Sequence, residues 1–273
     1  MTSIAAAATI TNKTENQDAH GVGDVPYPAL LVADGMGSFQ YAKQASDEVI
    51  ESLSVCIKQH SGPVSNDDIR SWFKKAHEAL HTRRINLEGT VQHAADRFGT
   101  TAVIAIETDE ELVLAYVGNG AAWHIRPNIK LFTTQPPWTA MNVLNPHTVP
   151  QDGKEVLERY LSDEEDPYRR EPSIIRIQKD RRAGDIIMLC TDGIHSADQQ
   201  RMGRNENGLW VRYDERMSIF FKKLPPFIEA GSDGAQERLQ ELLNSYLEEV
   251  RDGLDDDATI GVLLTRETFH PEQ

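Results

Sequence analysis

The 273-residue sequence predicts an α+β fold of antiparallel strands and amphipathic helices. Three observations carry this. Two stretches with helical apolar spacing follow an early strand, a strand–turn–strand meander comes after them, and a long helix precedes a final apolar strand.

Ala29-Leu30-Leu31-Val32-Ala33 is a short apolar run that stops at Asp34-Gly35-Met36-Gly37, the pattern of a buried strand ending in a tight turn. Ala42, Ala45, Val49, Leu53 and Ile57 then recur at three- and four-residue steps, with Lys43, Asp47, Glu48 and Glu51 between them. Ser61-Gly62-Pro63 breaks this helix. A second helix places Ile69, Trp72, Phe73, Ala76 and Leu80 on one face. The β-branched run from Thr100 to Ile106, the polar turn Thr108-Asp109-Glu110-Glu111 and the run from Leu112 to Val117 form a strand pair that ends at Gly118-Asn119-Gly120. Trp123-His124-Ile125-Arg126 alternates apolar and polar, and reads as the third strand of an antiparallel meander.

From about 135 to 172 the periodicity fades under Pro136, Pro137, Pro146, Pro150, Pro167 and Pro172, which predicts a long irregular insertion. Ser173 to Ile177 resumes strand character, Ala183-Gly184-Asp185 is a turn, and Ile186 to Cys190 is a fully apolar strand that stops at Thr191-Asp192-Gly193. Residues 198–234 read as a second irregular insertion. The last helix, from about Gln236 to Val250, carries Leu239, Leu242, Leu243, Tyr246, Leu247 and Val250. Gly253-Leu254-Asp255-Asp256-Asp257 leads into the final strand, Ala258 to Leu264. With no internal repeat and no flexible linker, a single domain over residues 1–273 is expected.

Composition narrows the function. Hydrophobic residues at 39% and charged residues at 26% match ordinary soluble proteins. No apolar run approaches the roughly 18–20 residues of a membrane span, so no membrane partner is expected. Met1-Thr2-Ser3-Ile4 and the four alanines after it lack the basic start of a signal peptide. Cys56 and Cys190 sit in no CxxC or Cys/His cluster, which argues against a disulfide framework or a structural zinc site. A cytoplasmic protein is expected. The net charge of −15, with no basic stripe, speaks against nucleic acid as a partner.

Three apolar strands begin or end at an aspartate: Asp34, Asp192 and the Asp255-Asp256-Asp257 run. A fourth acidic position, Asp18, stands in Asn16-Gln17-Asp18-Ala19. Carboxylates at strand ends are held by the sheet yet reach solvent, and several together repel one another unless a cation neutralises them. Hard oxygen ligands select magnesium, manganese or calcium over zinc. Gly35 and Gly193 let the backbone turn sharply, and can present a carbonyl as a further ligand. Each Asp-Gly alone is most often a plain turn. The ordered combination is the stronger signal.

That order is Asn16-Gln17-Asp18-Ala19, Val32-Ala33-Asp34-Gly35-Met36-Gly37, Phe98-Gly99-Thr100-Thr101-Ala102, Val117-Gly118-Asn119-Gly120, Gly184-Asp185 with Leu189 to Ile194, and Asp256-Asp257-Ala258-Thr259-Ile260. It resembles the metal-dependent protein phosphatases of the 2C type over roughly residues 10–265, above all their bacterial branch, which has methionine in the DGMG motif. The resemblance implies a four-layer α-β-β-α sandwich of two antiparallel sheets flanked by helices. It implies a serine/threonine protein phosphatase with two Mn²⁺ or Mg²⁺ ions, which activate a water and bind the substrate phosphate. By the same resemblance Asp34 bridges the two ions, Asp18 and the Gly35 carbonyl contribute to coordination, and Asp192 and Asp256 hold the other ion. Asp256 is taken over Asp255 and Asp257 because it sets Thr259 at the family's Ser/Thr position. A phosphorylated protein is the implied substrate and a cognate Ser/Thr kinase the implied partner.

The sequence departs from the family pattern in three places. The phosphate-binding arginine is Lys13, which keeps the charge and loses the bidentate fork. The Gly-Asp-Ser pattern, whose aspartate helps bind a third ion, is Gly118-Asn119-Gly120, and neutral asparagine is the poorer ligand for a hard cation. The second glycine after DGMG is Ser38. His20, His124 and His195 lie near motifs but are expected to be ordinary polar side chains, and Met36 cannot transfer a proton. Asn119 and Lys13 motivate a competing reading, a weakly active or inactive module that binds phosphoproteins or a kinase. A hydrolase of a small phosphorylated metabolite is a third.

Overall fold

The structure, a computed structural model, describes residues 2–86, 97–127, 138–152, 154–195, 200–204 and 210–270. The chain begins with β1 (Ile4–Ile10), β2 (Asp18–Gly23) and β3 (Ala29–Asp34), followed by α1 (Ala42–Gln59) and α2 (Asn66–Asn86). Next come β4 (Gly99–Thr100), β5 (Ala102–Glu107), β6 (Glu111–Val117), β7 (Ala121–Pro127), β8 (Trp138–Asn142), β9 (Thr148–Gln151), β10 (Lys154–Leu157) and β11 (Leu161–Ser162). β12 (Ser173–Gln178), β13 (Ile186–Cys190), β14 (Gln200–Arg204), β15 (Trp210–Asp214), α3 (Glu215–Glu229), α4 (Ala235–Val250) and β16 (Ala258–Leu264) complete it.

Two five-stranded sheets form, in the orders β1-β16-β13-β7-β8 and β12-β6-β5-β3-β2, with antiparallel neighbours throughout. Side chains alternate between the faces of each strand. On β3, Ala29, Leu31 and Ala33 pack with α1 and α2, while Leu30 and Val32 pack against the other sheet. On β16, Ile260, Val262 and Leu264 meet α3 and α4, and Leu263 lies between the sheets. Both faces of these strands are covered, which is why they read as unbroken apolar runs. The result is the expected sandwich of helices, sheet, sheet and helices.

β5 and β6 pair as expected, with Ala102 opposite Val117. The meander goes no further. β7 pairs with β13 and β8 in the other sheet. The chain changes layer at Gly118-Asn119-Gly120, where Gly118 and Gly120 take φ of 108° and 94°. Alternation in Trp123 to Arg126 identifies a strand without saying which sheet it joins.

The two segments read as irregular carry structure. Between 135 and 172 lie β8, the β9–β10 hairpin, and β11, which pairs with β4; residues 135–137 and 153 fall outside the described residues. Between 198 and 234 lie the β14–β15 hairpin and α3; residues 198, 199 and 205–209 fall outside the described residues. α3 buries Met217, Phe220, Leu224, Phe227 and Ile228 at helical spacing, but Pro225 and Pro226 inside it mask the pattern.

β1 is a strand that its sequence conceals, because alanine is the best helix former. Small side chains are needed there: Ala6 and Ala8 pack with the helices, and Ala5 and Ala7 fill the gap between the sheets. From α4, Gln236 Nε2 donates to the Ala5 carbonyl at 2.7 Å and Gln240 Nε2 to the Ala7 carbonyl at 3.0 Å. Four helical residues rise about 6 Å and two strand residues about 6.6 Å, so the two glutamines match alternate carbonyls. They occupy acceptors that this edge strand would otherwise leave open.

Candidate active site

Antiparallel pairing brings the acidic strand ends together. Asp18 opens β2 directly opposite Asp34, which closes β3. β13 ends and β16 begins at the same end of the sandwich, with Cys190 opposite Ile260. A cavity of about 200 Å³ lies there, lined by Asp34, Gly35, Asn119, Asp192, Asp256 and Leu157 among others.

Threonines hold the strand ends. Asp34 N donates to Thr101 Oγ1 at 3.1 Å, and Thr101 N and Thr100 Oγ1 donate to the Asp34 carbonyl at 2.9 and 2.8 Å. These bonds consume the Asp34 backbone, so the carboxylate remains for the cavity. Gly35 passes beneath the start of α1, where a Cβ would lie 2.4 Å from the Ala42 carbonyl oxygen. Thr191 N donates to the Thr259 carbonyl at 3.1 Å and Thr259 N to Thr191 Oγ1 at 3.0 Å, which zips β13 to β16 beside Asp192.

Asp18 lies behind Asp34 and is 2% exposed. Its Oδ2 accepts from Thr191 Oγ1 at 2.8 Å, and its Oδ1 is buried with no partner. Burial pushes its carboxyl up to about 7, against hydrogen bonds from Thr259 and Thr191, with Asp257 and Asp192 adding repulsion. The Asp34 carboxyl is held well above the usual range by burial first, then by the charges of Asp18, Asp192 and Asp256. Carboxylates placed so that each disfavours ionisation of the next attract a cation.

Asp256 lines the cavity, whereas Asp257 turns inward, 2% exposed, and accepts from Gln17 N at 2.8 Å and from Thr11 Oγ1. Asp255 is exposed. Lys13 forms an ion pair with Asp256 and stands 3.8 Å from Asp257. Burial alone would lower its ammonium, but Asp256, Asp257 and Asp34 raise it. Asn119 Nδ2 donates to Asp192 Oδ2 at 2.7 Å.

The donor set fits a hard divalent cation. It is all oxygen, it is crowded with like charge, it holds an orphaned carboxylate oxygen, and Gly35 is part of the cavity lining. Among the described residues no three His, Cys, Asp or Glu side chains stand arranged around one point. Lys13, Asn119 and Thr191 take up the outer oxygens of Asp256, Asp192 and Asp18 instead.

Gly184-Asp185 lies at the other end of the sandwich. Asp185 accepts from Arg126 Nε at 2.9 Å and lies 2.7 Å from His124 Nε2, so both belong to the scaffold. His195 packs edge-on to Trp123. The sequence reading passed over His147. Its Nδ1 accepts from Gly118 N at 3.2 Å, its backbone N donates to the Gly118 carbonyl at 2.9 Å, and its ring stacks on Tyr116. It thereby braces the turn that carries Asn119. No sequence signal marked it, because it sits in a proline-interrupted segment.

Burial, with Arg159 nearby, pushes the His147 imidazole down to about 4. The ring is neutral in the fold, while in the unfolded chain it protonates near pH ~6.5. Its contribution is therefore complete above that pH and is lost as pH falls towards 4. Thermal melts between pH 7 and pH 5 are expected to lose about 1–2 kcal/mol through this group, and His147→Asn is expected to flatten that part of the slope.

The fold and the carboxylate-lined end define a metal-dependent hydrolase. Residues 6–244 match the family described as Protein phosphatase 2C, and the chain belongs to it. As a member it is a metal-dependent serine/threonine phosphatase. The serine/threonine phosphatase stp of Listeria innocua serovar 6a is 22% identical over 240 residues, covering 84% of this chain and 89% of the relative. The stp of Listeria monocytogenes serovar 1/2a is 24% identical over 187 residues, covering 66% and 72%. The crystal structure of the Mycobacterium tuberculosis serine/threonine phosphatase PstP/Ppp superposes with a TM-score of 0.64 at 18% identity, covering 96% of this chain and 98% of that one. The catalytic domain of the serine threonine protein phosphatase PstP in complex with two manganese ions gives 0.65 at 17%, covering 97% and 99%. At such identity the structures establish the fold alone.

Proposed function

We propose that Asp18, Asp34, Gly35, Asp192 and Asp256 hold two Mn²⁺ or Mg²⁺ ions, and that the cavity hydrolyses phosphoserine and phosphothreonine in protein substrates. One observation carries the reading: Asp34 lines the cavity with its carboxyl under the combined charge of Asp18, Asp192 and Asp256. Two cations bound there would supply an activated water and offset charge on the phosphoryl oxygens. Asp34, Asp192 and Asp256 face the cavity and would hold those ions, and the Asp18 charge behind Asp34 would add to the attraction for them. The Lys13 ammonium stands at the same rim as Asp256 and is the candidate to meet substrate phosphate, as a point charge without bidentate geometry. The reading takes residues 1–273 as one catalytic domain, acting in the cytoplasm in signalling opposite a cognate Ser/Thr kinase. A module that only binds phosphoproteins has no use for this buried like-charge centre.

The test is phosphate release from a phosphothreonine peptide by chelator-treated protein, titrated with manganese. Activity is expected to appear only with the metal, and to prefer the peptide over small phosphorylated metabolites. Release that persists in excess chelator refutes the reading.

Asn119 fixes the expected ion count at two. Its amide donates to Asp192, a neutral contact where a carboxylate would add ligand charge. Asn119→Asp is expected to add a weaker third manganese in calorimetric titration, and to raise turnover by roughly 3–10-fold. An unchanged stoichiometry would remove Asn119 from the account of the ion count.

A further inference from the structure

We propose that Arg216 is a positioning residue of the acidic centre, and that its guanidinium fixes the spacing of Asp192 and Asp256. This rests on the reading above that those two carboxylates hold one of the two ions.

Strand pairing stops short of both. The β13–β16 ladder ends with Cys190 opposite Ile260, and one further bond runs from Thr191 N to the Thr259 carbonyl. Asp192 comes after that bond and Asp256 before it, so both line the cavity from chain outside the ladder. Other bonds fasten the Asp256 side to a third segment. Asp257 accepts from Gln17 N and Thr11 Oγ1, and the Arg251 carbonyl accepts from Asn12 Nδ2 at 3.0 Å. Those partners lie between β1 and β2, away from the Asp192 turn.

Arg216 joins the two sides. Its Nη1 donates to the Gly193 carbonyl at 2.5 Å, and its Nη2 donates to the Gly253 carbonyl. Gly193 follows Asp192 directly, and Gly253 closes the 3₁₀ turn Arg251–Gly253 just ahead of Asp256. A guanidinium is planar and rigid, so two carbonyls bonded to its two ends are held at one separation. Lysine can reach such carbonyls, but as a point charge on a flexible stem it imposes no separation. The base of the fork is itself held. Arg216 stands in the first turn of α3, and its carbonyl accepts from Tyr246 Oη at 3.2 Å. Tyr246 is fully buried in α4 and packs edge-on to Phe220. The helical layer thus reaches the acidic centre through one side chain.

Asp34 is held differently, by Thr100 and Thr101 in the other sheet. Loss of the Arg216 fork therefore loosens one pair of ligands and leaves Asp34 in place.

The experiment is calorimetric titration of manganese into the chelator-stripped full chain, below the melting temperature of every variant. The native chain is expected to take up two ions. Arg216→Lys and Arg216→Ala are each expected to weaken one of them at least about tenfold, the usual effect of removing a group that orients a ligand, and to hold the other within about threefold of native. Ethylguanidinium supplies the atoms that Arg216→Ala lacks, and is expected to restore part of the lost affinity where ethylammonium at equal concentration does not. Leu243→Ala truncates a fully buried residue of α4, so it should lower the melt and leave both ions bound as in the native chain. Should Arg216→Ala lose its fold by circular dichroism, Arg216→Lys decides. Native affinity at both sites in Arg216→Lys, equal weakening of both, the same selective loss in Leu243→Ala, or no difference between ethylguanidinium and ethylammonium overturns the role of Arg216 alone. A native chain that takes up fewer than two manganese ions overturns the two-ion reading, and the role of Arg216 with it.

Discussion

Asp34→Asn is expected to cut manganese-dependent hydrolysis of a phosphothreonine peptide at least about a thousandfold, while raising the stability of the metal-free protein. Both parts follow from one arrangement. The Asp34 carboxyl lines the cavity, and its charge is resisted by burial and then by Asp18, Asp192 and Asp256. Without a cation this is a cost to the fold; with one it is the attraction that binds it. Asparagine keeps the shape and deletes the charge, so the repulsion falls and so does cation affinity. The gain for the metal-free chain should be about 1–3 kcal/mol, or several degrees in a thermal melt for a domain of this size. The native chain should gain thermal stability on adding manganese, and the variant should gain far less. Activity within threefold of native, or an undiminished manganese shift in the melt, contradicts the assignment of Asp34.

The legible parts of this chain were those in which one local rule decides the outcome. β3, β13 and β16 are covered on both faces, so their apolar runs announce them, and α1, α2 and α4 bury one face at helical spacing. The acidic strand ends were legible because a strand must stop where a carboxylate and a glycine follow it. What stayed hidden depends on partners distant in sequence. β1 is a run of alanines whose strand state comes from packing between β16, the opposite sheet and the glutamines of α4. β7 has a strand's alternation, but its sheet is chosen by two positive-φ glycines ahead of it. The hydroxyls of Thr100, Thr101, Thr191 and Thr259 hold the acidic centre, yet in the sequence they look like ordinary strand residues. Leu157 at the cavity and His147 behind it come from a segment whose prolines erase any period.

Gly193→Ala is expected to fail in both stability and catalysis, and the reason is backbone against backbone. An ideal Cβ at Gly193 would stand 1.9 Å from the Asp257 carbonyl oxygen, 2.9 Å from its carbon and 3.2 Å from the Ala258 Cα. No side-chain rotation relieves that contact; one chain segment has to move. Both are fastened. On one side Thr191 N bonds the Thr259 carbonyl, and the Gly193 carbonyl accepts from Arg216 Nη1 at 2.5 Å. On the other, Asp257 receives Gln17 N and Thr11 Oγ1. Asp192 and Asp256 each sit one residue from the clash, so any shift that makes room displaces both across the cavity. Overpacking of this kind costs about 1–3 kcal/mol. A displacement near 1 Å at a catalytic centre costs on the order of a hundredfold in rate. Gly253→Ala, at a glycine where an added Cβ would meet nothing within 4 Å, should melt and turn over like the native chain. Asp192→Asn should lose activity with its fold intact, which separates loss of ligand charge from loss of geometry. A Gly193→Ala protein that melts within a degree of native and keeps half its activity would mean that the β13 and β16 ends are not locked as described, and that the placement of Asp192 and Asp256 in the cavity wall tolerates movement.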